Sequence, residues 1–200
     1  MGARLAQTIV PLAAGNNAHF APAPGIEAVV FLLDGNAQWD GQAVEAGAFL
    51  YLPPGDKLSV NATENCRMLC FEKRFASREN LQTPARLLGH EREIEGAPYL
   101  GDPDARLKVL LPDQPEFDLA VNIFAYQPGA RLPLVEVHVM EHGLMMLNGE
   151  GIYRLNNQWY PIMAGDCIWI KGYCPQWFAA TGKVVARYIY YKDVNRELLI

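Results

Sequence analysis

Apolar positions along the chain fall in short runs rich in β-branched, aliphatic and aromatic residues, punctuated by Gly, Pro, Asn and Asp. The clearest runs span 29–33, 48–52, 68–72, 119–126, 151–155, 166–170 and 184–191. Strand-length runs bounded by turn residues mark β-structure. They predict an all-β chain, sandwich or barrel. From 76 to 106 the sequence is polar, rich in turn residues and bare of strand alternation, which predicts a linker. The expected organisation is therefore one unit over 1–75, a linker over 76–106 and a second unit over 107–200.

The two halves echo each other. An apolar run leads into Asp34-Gly35 in the first half and into Asn148-Gly149 in the second, the dipeptides that favour tight hairpins. A strand pair follows, and Gly47 or Gly165 then opens another apolar run. A duplicated barrel is the natural expectation.

Composition narrows the class. The 200 residues are 50% hydrophobic, enough to bury one core or two small ones. Seventeen Lys+Arg against 22 Asp+Glu leave a formal charge of −5 with no basic stripe, which argues against nucleic acid. No apolar run reaches the roughly 20 residues of a spanning helix, and the first ten residues lack a signal-peptide core, so no membrane partner and a cytoplasmic location are expected. Cys66, Cys70, Cys167 and Cys174 have neither zinc-site spacing nor disulfide-scaffold density and read as buried thiols, with a weak supporting role open to Cys174.

Chemistry concentrates in GARLPLVEVHVMEHGLMMLNG, from Gly129 to Gly149. Glu136 and His138 lie two apart in a strand and leave the same face, and a bend over 139–143 can return His142 to the same point. An alternative places His138 and His142 one helical turn apart, as in zinc proteases, but the order is not HExxH and the Val-rich flanks argue against a helix. An ordinary exposed strand pair is the other reading.

The segment resembles the first cupin motif. In that resemblance Glu136 takes the first His position, His138 the second, His142 the Glu position, and Gly149 closes the motif. Counting through the second motif from Gly165 puts Gln176 on its metal-binding His, although Lys171, Tyr173 and Ala180 replace the motif's Pro, Gly and Asn. One carboxylate, two imidazoles and an amide oxygen form a donor set without thiolate, favouring Mn(II) or Fe(II), or another divalent ion, over structural zinc. The fold implied is a bicupin of two tandem jelly-roll barrels. In the first half the ligand positions align on Pro22, Pro24, Ala28 and Leu58, so that barrel is expected to be degenerate, and its short entry suggests a truncated one. His19 and His90 are then surface or packing residues.

The ligand pattern Glu-x-His-x3-His…Gln, with EVHVMEHG, GxYRLNNQWYPI, AGDxIWI, CPQWFAA and RYIYYKDVNR, is more specific: it resembles the (S)-ureidoglycine aminohydrolase family. The resemblance implies manganese-dependent hydrolysis of (S)-ureidoglycine to (S)-ureidoglycolate and ammonia in allantoin and purine breakdown. It implies metal ligands at Glu136, His138, His142 and Gln176. Substrate contacts fall on Glu136, Gln176, Tyr188 and Lys192, with Glu136 and Lys192 as catalytic residues. Tyr188 and Lys192 share a face by strand alternation, although a packing aromatic and a solvated strand end would read the same way. Competing expectations are a cupin oxygenase or decarboxylase acting on a small carboxylic acid, and a non-catalytic bicupin. Open barrel edges make a homo-oligomer the expected assembly.

Overall fold

The structure is a computed structural model that describes residues 4–196. Apart from one turn of 3-10 helix at Glu91–Glu93, its regular structure is all strand. Among the described residues no helix is long and apolar enough to cross a membrane. The chain divides into two compact units. The first runs to Ile94 and takes in Gln114–Asp118; the second comprises Glu95–Asp113 and the chain from Leu119 onward.

The first unit contains β1 (Leu5–Leu12), β2 (Asn17–Phe20), β3 (Ile26–Asp34), β4 (Asn36–Trp39), β5 (Gln42–Glu45), β6 (Ala48–Leu52), β7 (Leu58–Ala62), β8 (Cys66–Arg74) and β9 (Leu87–His90). They form antiparallel sheets ordered β1-β8-β3-β6-β9 and β2-β7-β4-β5, a jelly roll. Its core is largely aliphatic, with Val30, Leu32, Leu50 and Leu52 on one sheet facing Leu58 and Val60 on the other. The run IEAVVFLLD in β3 is buried from Glu27 to Leu32, as a central strand covered on both faces must be. The LSVNA of β7 alternates buried and exposed residues, as a half-covered strand does.

The second unit contains β10 (Ala97–Tyr99), β11 (Asp102–Val109), β12 (Leu119–Tyr126), β13 (His142–Asn148), β14 (Glu150–Leu155), β15 (Gln158–Met163), β16 (Cys167–Ile170), β17 (Gln176–Ala180) and β18 (Ala186–Asp193). Their sheets run β10-β11-β12-β18-β13-β16 and β15-β14-β17. Isolated bridges Arg131–Ala179 and Glu136–Gln176 carry the segment between β12 and β13 along β17. This core is aromatic: Phe124, Tyr126, Tyr153, Phe178 and Tyr188 pack with ring centroids 5.0–6.4 Å apart.

The internal repeat extends to irregularities that a chance meander would not share. The β3–β8 register shifts between Leu32 and Asp34, and the β13–β18 register shifts between Met146 and Asn148. The Gly47 amide donates to Leu32 O at 2.8 Å, and the Gly165 amide to Met146 O at 2.8 Å. Gly35 and Gly149 both take positive φ, at 74° and 75°. A Cβ would stand 2.3 Å from Asn65 O at the first and 2.8 Å from Val185 O at the second. Bulges are kept where a strand must be re-aimed; here both follow the same barrel wall.

The segment expected to be a linker over 76–106 differs. Leu87–His90 pairs with β6, Ala97–Tyr99 pairs with β11, and the division between units falls at Ile94/Glu95. These strands of only four and three residues sit on sheet edges, where neighbours rather than a long hydrophobic run define them. Cys66 and Cys70 are buried on one face of β8, as expected. Cys167 is exposed and Cys174 half-buried, which corrects the reading of four buried thiols; β16 is an edge strand and Cys167 lies on its outer face. His19 bonds the Ser59 hydroxyl at the surface, while His90 Nδ1 accepts the Arg92 amide and caps the 3-10 turn.

The first unit also buries a charged cluster. Lys73 Nζ lies 2.6 Å from Asp118 Oδ2 and 3.6 Å from Glu27 Oε1, both carboxylates being fully buried. Asp118 Oδ2 also accepts the Ala76 amide, and Tyr51 donates to Glu27 Oε2. Among the described residues Glu27 Oε1 and Asp118 Oδ1 have no hydrogen-bond partner, which a proton held by Glu27 resolves. Burial, with Asp118 beside it, pushes the Glu27 carboxyl up to about 9. The folded state therefore binds a proton that the unfolded chain releases near its ordinary value of 4.5. This contribution to stability is fully present below that value and is lost as pH climbs towards 9. Urea midpoints measured from pH 5 to 9 are expected to fall less steeply in Glu27→Gln than in the parent chain; parallel curves would contradict the protonated assignment.

Candidate metal centre

The site forms at one end of the second barrel, where four segments converge. Glu136 is fixed by its backbone: its amide donates to Gln176 O and its carbonyl accepts the Gln176 amide, both at 2.9 Å. The next turn holds His138, because Gly172 leaves room for Val139 O and the Tyr173 amide donates to His138 O at 2.6 Å. A Cβ on Gly172 would stand 2.6 Å from Val139 O. His142 opens β13 and pairs with Lys192 of β18. The bend over 139–141 contains no helix, so the zinc-protease alternative fails.

Glu136, His138, His142, Gln176, Tyr188 and Lys192 all line one cavity of about 40 Å³. Each sequence-predicted site residue is thus in one place. The set is not a preformed cage. Among the described residues no three His, Cys, Asp or Glu side chains stand as a metal-holding group, and Glu136 Oε2 and His138 Nε2 contact each other at 3.3 Å. The His138 and His142 rings are 5.3 Å apart.

The residues nevertheless fit a metal ion. His142 is 4% exposed, and among the described residues neither of its buried ring nitrogens has a hydrogen-bond partner. An unpartnered buried polar group is costly unless something supplies the missing bond. Burial, helped by the neighbouring His138 and opposed by the nearby Gln176 side chain, lowers the pKa of His142, favouring the neutral form a metal requires. Burial alone would raise the Glu136 carboxyl; hydrogen bonds from His138 and Tyr99 and the charge on Lys192 outweigh it and hold Glu136 below its ordinary value. Lys192 is lowered by burial, with Glu136 and Asp113 opposing the shift.

Two contacts escaped the sequence reading. Tyr99 Oη donates to Glu136 Oε1 at 2.6 Å, and Tyr153 Oη donates to Gln176 Oε1. Burial raises both phenols, so they remain donors at neutral pH. Tyr188 Oη lies 3.1 Å from Tyr126 Oη. Tyr99 sat in the presumed linker. Tyr153 is in the GxYRL segment, where strand parity could have aimed it inward.

In the first unit the equivalent positions are apolar. Ala28 pairs with Leu52 as His142 pairs with Ile170, and Leu58 opens β7 as Gln176 opens β17. Strand pairing sets Phe20 opposite Leu58, as Glu136 stands opposite Gln176, so Phe20 rather than Pro22 is the counterpart of Glu136. Ungapped counting missed this because the connections after β2 and after Glu136 differ.

Residues 122–191 match the cupin domain family. The chain is 36% identical over 185 residues to the (S)-ureidoglycine aminohydrolase of Arabidopsis thaliana, covering 89% of this chain and 61% of that protein. It is 35% identical over 193 residues to the (S)-ureidoglycine aminohydrolase of Escherichia coli K12, covering 93% and 74%. A crystal structure of a Pseudomonas aeruginosa protein described as glyoxylate-induced superposes with a TM-score of 0.89 at 31% identity, over 98% of this chain and 76% of that one. The chain spans about three fifths of the length of its plant relatives. With a cupin fold and a relative matched over three quarters of its length, the chain belongs to the (S)-ureidoglycine aminohydrolase family.

Proposed function

We propose that this chain catalyses the manganese-dependent hydrolysis of (S)-ureidoglycine to (S)-ureidoglycolate and ammonia, a step of allantoin and purine breakdown, and that it works as a homo-oligomer. The observation that carries the reading is the gathering of Glu136, His138, His142 and Gln176 in one cavity with Tyr188 and Lys192. The names of the relatives support it. Glu136, His138, His142 and Gln176 would hold Mn(II), or Fe(II) in its place, which when bound supplies Lewis acidity and a fixed anchor for the substrate.

The chain's own residues then orient and move protons. Lys192 pairs with the substrate carboxylate, and the Tyr188 hydroxyl donates to an oxygen of the substrate. Fixing both ends of a small substrate sets which enantiomer fits and contributes most of the rate through orientation. Glu136 carries the proton: as a carboxylate it takes one from the entering water as the carbon–oxygen bond forms and delivers it to the departing amino group as the carbon–nitrogen bond breaks. Ammonia and ureidoglycolate are the balanced products. The first unit, apolar at Ala28 and Leu58, has no metal role in this scheme.

Freshly generated (S)-ureidoglycine incubated with the Mn(II)-loaded protein is expected to release ammonia, and a chelator to stop the release. Oxygen consumption with a small carboxylic acid, and no ammonia, would instead favour an oxygenase. Bound metal with neither activity would leave a non-catalytic cupin.

A further inference from the structure

We infer that Tyr99 is a positioning residue that latches one oxygen of Glu136, leaving the other oxygen free for the ion that the four residues would hold, while the latched one handles the proton. The inference rests on the preceding functional reading and assigns a division of labour within a single carboxylate.

The geometry separates the two oxygens. Oε1 accepts the Tyr99 hydroxyl at 2.6 Å, whereas Oε2 faces His138 Nε2 at 3.3 Å. The Glu136 backbone is already immobilised by its reciprocal hydrogen bonds with Gln176, leaving side-chain rotation as the remaining freedom. A carboxylate free to rotate can bind an ion through either oxygen or both. A phenol on Oε1 restricts that choice.

Tyr99 is itself held firmly. It ends β10, where the register with β11 shifts between Pro98 and Tyr99. Leu100 and Gly101 follow with φ of 49° and 86°, turning the chain back so that Tyr99 pairs with Asp102. The Tyr99 ring meets Phe124 edge to face, with centroids 4.8 Å apart and planes at 90°. The hydroxyl is thus aimed by a packed ring and a tight turn. Such partners of a ligand fix its orientation, and their loss typically costs about 10–100-fold in affinity or activity.

Tyr99→Phe keeps the ring and removes only the hydroxyl. The expected result is a protein of normal thermal stability that still binds Mn(II). Its kcat falls about 10–100-fold with KM within about threefold, and the electron paramagnetic resonance fine structure of its bound Mn(II) changes. Tyr160→Phe, which removes a surface phenol bonded to Gln158, is expected to leave both readouts unchanged. An unchanged Mn(II) spectrum in Tyr99→Phe would overturn the latch, as would failure of the parent protein to bind Mn(II). If the parent binds Mn(II) but releases no ammonia, the hydrolase reading fails, while the spectral comparison still decides the latch.

Discussion

Glu136→Gln is expected to bind Mn(II) within about tenfold of the parent affinity and yet to lose about 10²–10⁴-fold in kcat for ammonia release. The amide keeps an oxygen for the ion but cannot accept and return a proton. The backbone bridge to Gln176 does not depend on the side chain, so position 136 stays where it is. Turned to give the ion its oxygen, the amide presents its NH2 to Tyr99, whose hydroxyl then accepts instead of donating. Glu136→Ala removes both functions and is expected to lose metal as well as turnover. Calorimetric Mn(II) titration beside ammonia release separates the two. Near-parental turnover in Glu136→Gln with metal bound would eliminate Glu136 as the proton carrier.

The second large effect concerns stability. Lys73→Met is expected to destabilise the protein by about 3–5 kcal/mol, the usual cost of stranding a buried charge. For a chain of this size that corresponds to roughly 10 °C in melting temperature. The reason is arithmetic within the cluster. With Glu27 protonated, Asp118 and Lys73 cancel, and removing Lys73 leaves a carboxylate that is fully buried. Lys73→Met with Asp118→Asn is expected to recover most of the loss, since the amide oxygen can still take the Ala76 amide bond that Asp118 makes. Calorimetric melts of the single and double variants test this, and a double variant no more stable than the single one would refute the charge argument.

Much of the candidate site was legible because its determinants are local. Strand parity puts Glu136 and His138 together in the sequence, although the structure gives Glu136 only an isolated bridge and no strand through His138, and Tyr188 and Lys192 share a face along β18. Their convergence also depended on the family resemblance for Gln176, which is 34 residues from His142 and meets Glu136 only through the barrel's closure. Tyr99 and Tyr153 were missed for that reason: a phenol's acceptor is chosen by tertiary structure, not spacing. Long apolar strands such as β3 and β12 were visible, but β9 and β10 were not. Each is a short edge element whose hydrogen bonds come from β6 and β11 respectively. The Phe20 correspondence shows the same limit, since register is a property of paired strands and not of counted residues.

The short excursion Gln114–Asp118 has a bearing on inheritance and engineering. Between β11 and β12 the polypeptide leaves one unit, delivers Phe117 and Asp118 to the other, where Phe117 meets Tyr51 and Asp118 meets Lys73, and then returns. A gene segment covering 107–200 would carry away the anion of a foreign core and leave behind Tyr99. No single crossover point in the coding sequence yields two self-contained modules.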